Sequence, residues 1–476
     1  MKNLKPDQWV LFLPVCCGLF IYITWRAFHL SFTHDEGISY NVITAKNYLE
    51  YAANNHLLNT WLMALSASVF GHAELALRLP NVLAFSIYLL FCYRLIQAST
   101  QNLLAFFAIA LLFLNPFVLD FFSLARGYGL SLAFMVTGLW FFLRKNYVQL
   151  SGEDFLRNSG YAMGYATLAL LSNLALINFY IALLVLFSVQ YLLLARKEQG
   201  RRLRKHLPFV GFVFLTCIPL ILGLKRLLIL SQAGDLYVGA PSIDDSISSF
   251  IERSSYHRPY PVWFSELVQT SIKFVFVTGM VLALFRKKFN GPLFKLGALM
   301  VVILIGLYLE HYLFSTLFPM GRTGIYFIPL FGLFVYYFFV EILSGLKPKL
   351  NTGITVAGLL LIPLPLSIHF FCTVNTDHTF EWKYETHTRE VVLDIEDKNK
   401  KAELGHNWIF GPAINYYVRS RNLNLVPVKL EEGKKRNQDF IYEFEDQWKG
   451  EPWQIVHRYD DIGSALYKNP AKEKTK

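Results

Sequence analysis

The chain has 476 residues, of which 54% are hydrophobic and 16% aromatic, and its mean hydropathy is +0.36. That composition excludes an ordinary soluble enzyme and indicates an integral membrane protein. The formal net charge of +11 is no sign of nucleic-acid binding. Residues 1–371 carry 28 basic against 16 acidic side chains, whereas residues 372–476 carry 17 against 18. The basic excess sits in short connections between apolar runs, as the bias of cytoplasmic loops toward Lys and Arg requires.

Residues 10–30 form the first apolar run, long enough to cross a bilayer. Lys2 and Lys5 precede it and place the N-terminus in the cytoplasm. No small-residue cleavage site follows, so the run reads as a retained signal anchor. The segment Thr-His-Asp-Glu-Gly-Ile-Ser-Tyr, residues 33–40, then emerges at the expected outer surface. Beside hydrocarbon, Asp35 is partly desolvated, which raises its proton affinity toward the range of a general base. Asp35 and Glu36 equally suit the N-terminus of a helix, where acidic side chains are favoured.

Residues 41–75, with Tyr48, Tyr51, Trp61 and Phe70, read as helices lying in the membrane interface. Further spans are expected near residues 79–96, 103–121, 127–143, 161–173, 176–194, 207–228, 267–285, 296–312, 325–343 and 352–371, making about eleven in all. Alternation then puts Arg94, Arg144, Lys145, Arg157, the cluster Arg196 to Lys205, the cluster Arg286 to Lys295, Lys347 and Lys349 on the side of the N-terminus. Lys225 and Arg226 break this pattern. The tail, residues 372–476, reads as a small soluble α/β domain on the outer side. Its expected strands lie near residues 408–410, 440–444 and 465–468, with a helix over 412–421. Four of the five cysteines, Cys16, Cys17, Cys92 and Cys217, fall inside predicted spans, so no disulfide framework is implied.

Ionisable groups in or beside spans mark functional sites by default. Here Asp35, Glu36, Asp120, Arg126, Glu310, His311 and Arg322 gather near the outer ends of helices. Carboxylates facing guanidinium groups suit an anionic, lipid-linked substrate, because an Arg fork matches phosphate oxygens and steadies leaving-group charge. The same residues also suit helix-to-helix pairing of Arg126 and Arg322 with Asp120 and Glu310. Glu74 and Arg78 are spaced for an i,i+4 pair on one helix face. Lys273 lies nearer mid-span with a stem long enough to reach the interface.

Four motifs in this order resemble those of the GT-C superfamily of membrane glycosyltransferases, in particular the bacterial branch similar to protein mannosyltransferases and the lipid A aminoarabinose transferase. They are His34-Asp35-Glu36-Gly37; Gly71-His72-Ala73-Glu74 running to Arg78-Leu79-Pro80; Ala125-Arg126-Gly127-Tyr128; and Arg322 followed by Tyr326 and Pro329. Two departures stand out. His56-Leu57-Leu58-Asn59 replaces a basic residue or His followed by two prolines and Leu, and Leu124 stands where an acidic or amide residue is common.

The resemblance implies an α-helical polytopic membrane protein with a GT-C-like domain over residues 1–371 and an extracytoplasmic α/β domain over 372–476, in a bacterial plasma membrane. It implies transfer of a sugar from a polyprenyl-phosphate carrier to a glycan, lipid or protein acceptor on the outer side, with inversion. In that scheme Asp35 is the general base and Glu36 orients it. Arg126, Arg322 and His56 hold the donor phosphate, supported by His34, Tyr128, Tyr326, Asp120 and Glu310. No redox cofactor is required, and a divalent cation is compatible with the family. A transporter of lipid-linked glycans is the competing expectation. Tyr256, His257 and Arg258 are further candidates for acceptor contact.

Overall fold

Long apolar runs can satisfy their backbone groups in lipid only by coiling, and the computed structural model is accordingly built on helices. It describes residues 6–49, 55–96, 102–197, 207–235, 238–395, 401–430, 437–448 and 453–472. Lys2, Lys5, Tyr51, Arg201, Arg202, Arg204 and Lys205 lie outside the described residues.

In chain order the helices are α1 (Pro6–His29), α2 (His34–Thr44), α3 (Leu57–Phe70), α4 (Glu74–Ile96), α5 (Asn102–Phe113), α6 (Pro116–Asp120), α7 (Gly127–Leu143), α8 (Gly152–Ser172), α9 (Ile177–Lys197), α10 (Leu207–Gln232), α11 (Ile243–Ser255), α12 (Val262–Phe285), α13 (Pro292–Phe314), α14 (Phe327–Leu343), α15 (Pro348–Leu361) and α16 (Pro363–Thr373). Seven segments among the described residues are long and apolar enough to cross a membrane, and four shorter apolar helices accompany them.

Proline accounts for two departures from the expected spans. The run 103–121 is broken because Pro116 has no N–H to continue α5. Asn115 instead caps α6 by accepting from Val118 N at 3.1 Å. The run 352–371 breaks at Ile362, ahead of Pro363. The short run expected at 161–173 is the second half of α8, whose 21 residues begin with Glu153, Asp154 and Arg157 and so fall outside the seven long apolar segments.

Basic residues collect at one end of the bundle. Arg94 and Arg144 lie over the Trp140 ring, at 5.2 and 3.9 Å, and Arg286 and Lys288 pair with Glu341 at 3.1 and 2.7 Å. These are the C-terminal ends of α4, α7, α12 and α14. The N-terminal ends of α7 and α14 meet at the opposite end of the bundle, where the tail is seated.

The tail contains α17 (Thr388–Asp394), β1 (Ala402–His406), α18 (Gly411–Arg421), β2 (Leu425–Lys429), β3 (Phe440–Phe444), β4 (Gln454–Tyr459) and β5 (Ser464–Lys468). The strands form one sheet in the order β2-β1-β3-β5-β4. β1 is parallel to β2 and β3, while β5 is antiparallel to both β3 and β4. The strand expected at 408–410 is a turn instead. Asn407 folds it, its Oδ1 accepting from Ile409 N at 3.2 Å and its carbonyl from Phe410 N at 3.1 Å.

The tail does not keep a core to itself. Phe32, Tyr40, Met63 and Leu77 from the bundle side pack in one buried cluster with Leu404, Phe410, Ile414, Tyr416 and Tyr417. Phe32 stacks on Tyr416 with ring centroids 3.7 Å apart. Burying each such side chain is worth about 1.5–3 kcal/mol, so the two parts stabilise each other. α2 is consequently buried between bundle and tail rather than lying on lipid. α3 has one buried side, with Asn59, Met63 and Ala67, and exposes Trp61, Leu65, Val69 and Phe70 on the other.

Candidate active site

Thr33 has extended dihedrals and caps α2 in a capping box with Glu36. Helix capping is therefore a real task of this segment, but Glu36 performs it and also does more. Its Oε2 accepts from Thr33 N at 3.0 Å and from Arg78 Nη2 at 2.7 Å, and its Oε1 accepts from Arg78 Nε at 2.8 Å and Ala125 N at 2.6 Å. Arg78 donates in turn to the carbonyls of Ala27, Leu30 and Ser31 at the end of α1. Both side chains are fully buried. The i,i+4 pairing of Glu74 with Arg78 does not form. Glu74 binds Arg421 at 3.1 Å and Arg389 at 3.6 Å, both in the tail, because α4 turns Arg78 inward to the buried Glu36 carboxylate.

Asp35, the neighbouring carboxylate, faces two arginines. Its Oδ2 lies 2.7 Å from Arg322 Nη1 and 3.4 Å from Arg126 Nη2, and the residue is 3% exposed. Burial alone would raise the carboxyl's proton affinity. Arg126, Arg322 and His34 outweigh burial and hold it below the usual carboxylate value. Neither arginine pairs with Asp120 or Glu310. Arg126, at the N-cap of α7, also donates to Asp35 O at 3.1 Å and Ser39 Oγ at 2.9 Å. Arg322 precedes α14 and faces the Trp382 ring at 5.1 Å.

His56 completes this face. Its ring packs on Tyr128 at 4.7 Å, its Nε2 is buried without a hydrogen-bond partner, and burial together with Arg126 and Arg322 holds it well below the ordinary histidine value. It is a neutral imidazole in cationic surroundings. Gly127 makes the approach possible, since a Cβ there would stand 1.9 Å from Ser172 O and 2.7 Å from His56 Cβ. Arg226 is buried nearby and donates to Asn55 O at 2.9 Å. Its place against the charge pattern is the signal in the sequence that sets it apart.

The other predicted residues make the following contacts. Asp120 binds Arg26 Nη1 at 2.6 Å, accepts from Tyr256 Oη at 2.9 Å and from Phe380 N at 2.8 Å. Glu310 accepts from Asn178 at 2.9 Å, and Tyr326 is fully buried against Phe327. His34 meets Ile409 O at 2.6 Å. Lys273 pairs with Asp244 at 2.7 Å. Tyr256, His257 and Arg258 have partners within the protein: Tyr256 joins the Asp120 network, His257 stacks on Phe380 at 4.1 Å, and Arg258 donates to Cys372 O.

These contacts fasten residues 375–386 across the site as a strap. His378 O accepts from Arg26 at 2.5 Å, Glu381 pairs with Arg253 at 2.9 Å, and Thr386 O accepts from Ser31 Oγ at 2.7 Å. Trp382 and Glu385, which the sequence reading passed over, come from this strap. Beside it a groove of about 1640 Å³, lined mainly by apolar side chains, runs among α11, α12, α13 and α16 and reaches Met320, two residues from Arg322. Among the described residues, no group of three or more His, Cys, Asp or Glu is placed to hold a metal ion.

Residues 55–222 match the family model described as dolichyl-phosphate-mannose-protein mannosyltransferase. The structure superposes on ArnT from Cupriavidus metallidurans in the apo state with a TM-score of 0.54 and 13% identity, covering 97% of this chain and 98% of that one. Against ArnT from the same organism bound to undecaprenyl phosphate, the TM-score is 0.52 and the identity 14%, covering 98% and 99%. The chain has the fold of ArnT. No curated protein matches it in sequence. Within this fold the family-model match takes in His56, Arg126 and Tyr128, while Asp35 and Arg322 flank it in sequence and join it in space.

Proposed function

We propose that the protein is a polyprenyl-phosphate-dependent glycosyltransferase, with Asp35 as the general base, acting on the extracytoplasmic side. The observation that carries this reading is the single buried carboxylate shared by two guanidinium groups from the starts of α7 and α14. The base and the cations for a leaving phosphate thus lie side by side.

In the proposed reaction the acceptor hydroxyl gives its proton to Asp35 as its oxygen attacks the anomeric carbon. The bond from that carbon to the phosphate oxygen breaks, and its electron pair leaves with the polyprenyl phosphate. Attack opposite the phosphate inverts the anomeric carbon. Arg126 and Arg322 hold the phosphate and stabilise the charge that develops on it. His56 and Arg226 add a neutral ring nitrogen and a third cation to the same pocket. The apolar groove ending at Met320 suits the hydrocarbon of a prenyl chain.

The bound undecaprenyl phosphate of the ArnT structure supports a carrier of this class. The reaction as written calls for no redox cofactor, and the acceptor is a hydroxyl on a glycan, lipid or protein. The test is sugar transfer from a polyprenyl-phosphate sugar in membranes. Asp35→Asn is expected to remain folded and inactive, and transfer at the unaltered rate would overturn the assignment.

A further inference from the structure

Asp35 and the donor phosphate compete for the same cations, and that competition has consequences for the order of events. Asp35 Oδ2 sits where an anion belongs, within 2.7 Å of Arg322 and 3.4 Å of Arg126. A carboxylate in two guanidinium contacts is a poor proton acceptor, because protonation would forfeit both contacts.

The two arginines are not equivalent. Arg126 is 0% exposed in its side chain and is tied to Asp35 O and Ser39 Oγ as well. The Arg322 side chain is 25% exposed, lies against the flat face of Trp382, and belongs to a short turn, Gly321–Gly324, ahead of α14. It is the more exposed of the two arms. A phosphate offers several oxygens to its fork, so it can take Arg322 from a carboxylate that shares only one.

Building on the function proposed above, we infer that Asp35 occupies the donor's anion position in the resting site and that the arriving phosphate draws Arg322 away, releasing Asp35 to act as base. The donor is therefore the first substrate to bind productively, and the empty enzyme does not abstract protons from an acceptor. The charged and titratable groups around Asp35 are consistent with this: His34 on its own helix, Arg126 and Tyr128 of α7, His56 before α3, Arg322, and Tyr384 and Glu385 of the strap. Among them Arg322 is the partly exposed cation in direct contact with the carboxylate.

A double-mutant cycle on the full-length protein in detergent tests the inference, with undecaprenyl phosphate as the probe and inorganic phosphate for the headgroup alone. Asp35→Asn is expected to bind undecaprenyl phosphate about tenfold more tightly than the unaltered protein, a common size for a lost competitor at a charged contact. In an Arg322→Gln background, or Arg322→Lys if the former unfolds, the same change is expected to give a clearly smaller gain, since only the longer Arg126 contact is then relieved. An Asp35→Asn protein with unchanged or weaker affinity would overturn the inference. So would an equal gain in both backgrounds, since that would mean general charge removal rather than competition for Arg322. Failure of the unaltered protein to bind the lipid would instead overturn the proposed function from which the inference starts.

Discussion

Glu36 and Arg78, 42 positions apart in sequence, close into a two-point fork with no solvent at either side chain. The fork joins the start of α2 to α4, and through the free donors of Arg78 it also caps α1. Removing one member of a buried, hydrogen-bonded pair leaves the other charge stranded, which costs about 3–5 kcal/mol. Glu36→Gln and Arg78→Leu are each expected to lower thermal unfolding of the purified protein markedly. If either variant melted with the unaltered protein, the fork would not be the clamp described.

Asp35 occupies a different position, since its contacts do not lock elements together to the same extent. Asp35→Asn is expected to cut sugar transfer by about 10²–10⁴, the usual contribution of a general base, with a smaller loss of stability than Glu36→Gln. Steady-state rates alongside a melting curve separate this from collapse of the site.

Replacing Arg322 with Lys keeps the charge and loses the fork. The expected outcome is donor binding weakened by about tenfold, the order of one lost charge-assisted contact, with a smaller effect on unfolding. Arg126→Lys removes contacts to Ser39 Oγ and Asp35 O as well, so it is expected to harm both binding and stability. Equal behaviour of the two variants would contradict the asymmetry of the site.

Two carboxyls predict opposite pH responses. Asp35 is held low by its arginines, so the stability it contributes is present above its unfolded value near 3.9 and is lost as pH falls through the lower folded value. Glu385 is 1% exposed; burial, then Glu36 and Asp35, push its proton affinity well above the ordinary value, against a hydrogen bond from Thr388 that lowers it. Its contribution is complete below about 4.3 and is lost as pH rises through the raised folded value. Glu385→Gln, which mimics the protonated side chain, is expected to flatten the loss of stability toward alkaline pH. Melting temperatures from pH 4 to 9 read this directly, and an unchanged alkaline slope would refute it.

Gly37 faces the first turn of α18 so closely that a Cβ would lie 2.4 Å from the Pro412 carbonyl. Gly37→Ala is expected to push the tail off α2, costing about 1–3 kcal/mol as other overpacked contacts do. Faster limited proteolysis of the tail checks it.

The sequence disclosed the membrane class, Asp35 and the two distant arginines because charge beside hydrocarbon is conspicuous without any fold. It misjudged Arg78, since i,i+4 spacing is visible along one helix whereas a partner 42 positions earlier is not. Arg226 stood out as an anomaly of charge, but only folding sets it beside His56. β2 went unseen because Pro427 argues against a strand; it is tolerated at the sheet edge. β4 shows no inside–outside alternation, five of its six residues being exposed. The strap carries no motif at all, and its importance lies entirely in what it touches.

That strap has a temporal consequence. Trp382, Glu385 and the carbonyls that secure Arg26 and Ser31 belong to chain made after every helix of the bundle. A nascent polypeptide that has inserted α1 through α16 therefore holds Asp35 and its arginines in an unfinished wall. The wall around Asp35 is therefore completed only when the segment after α16 has emerged and settled back on Arg26 and Ser31.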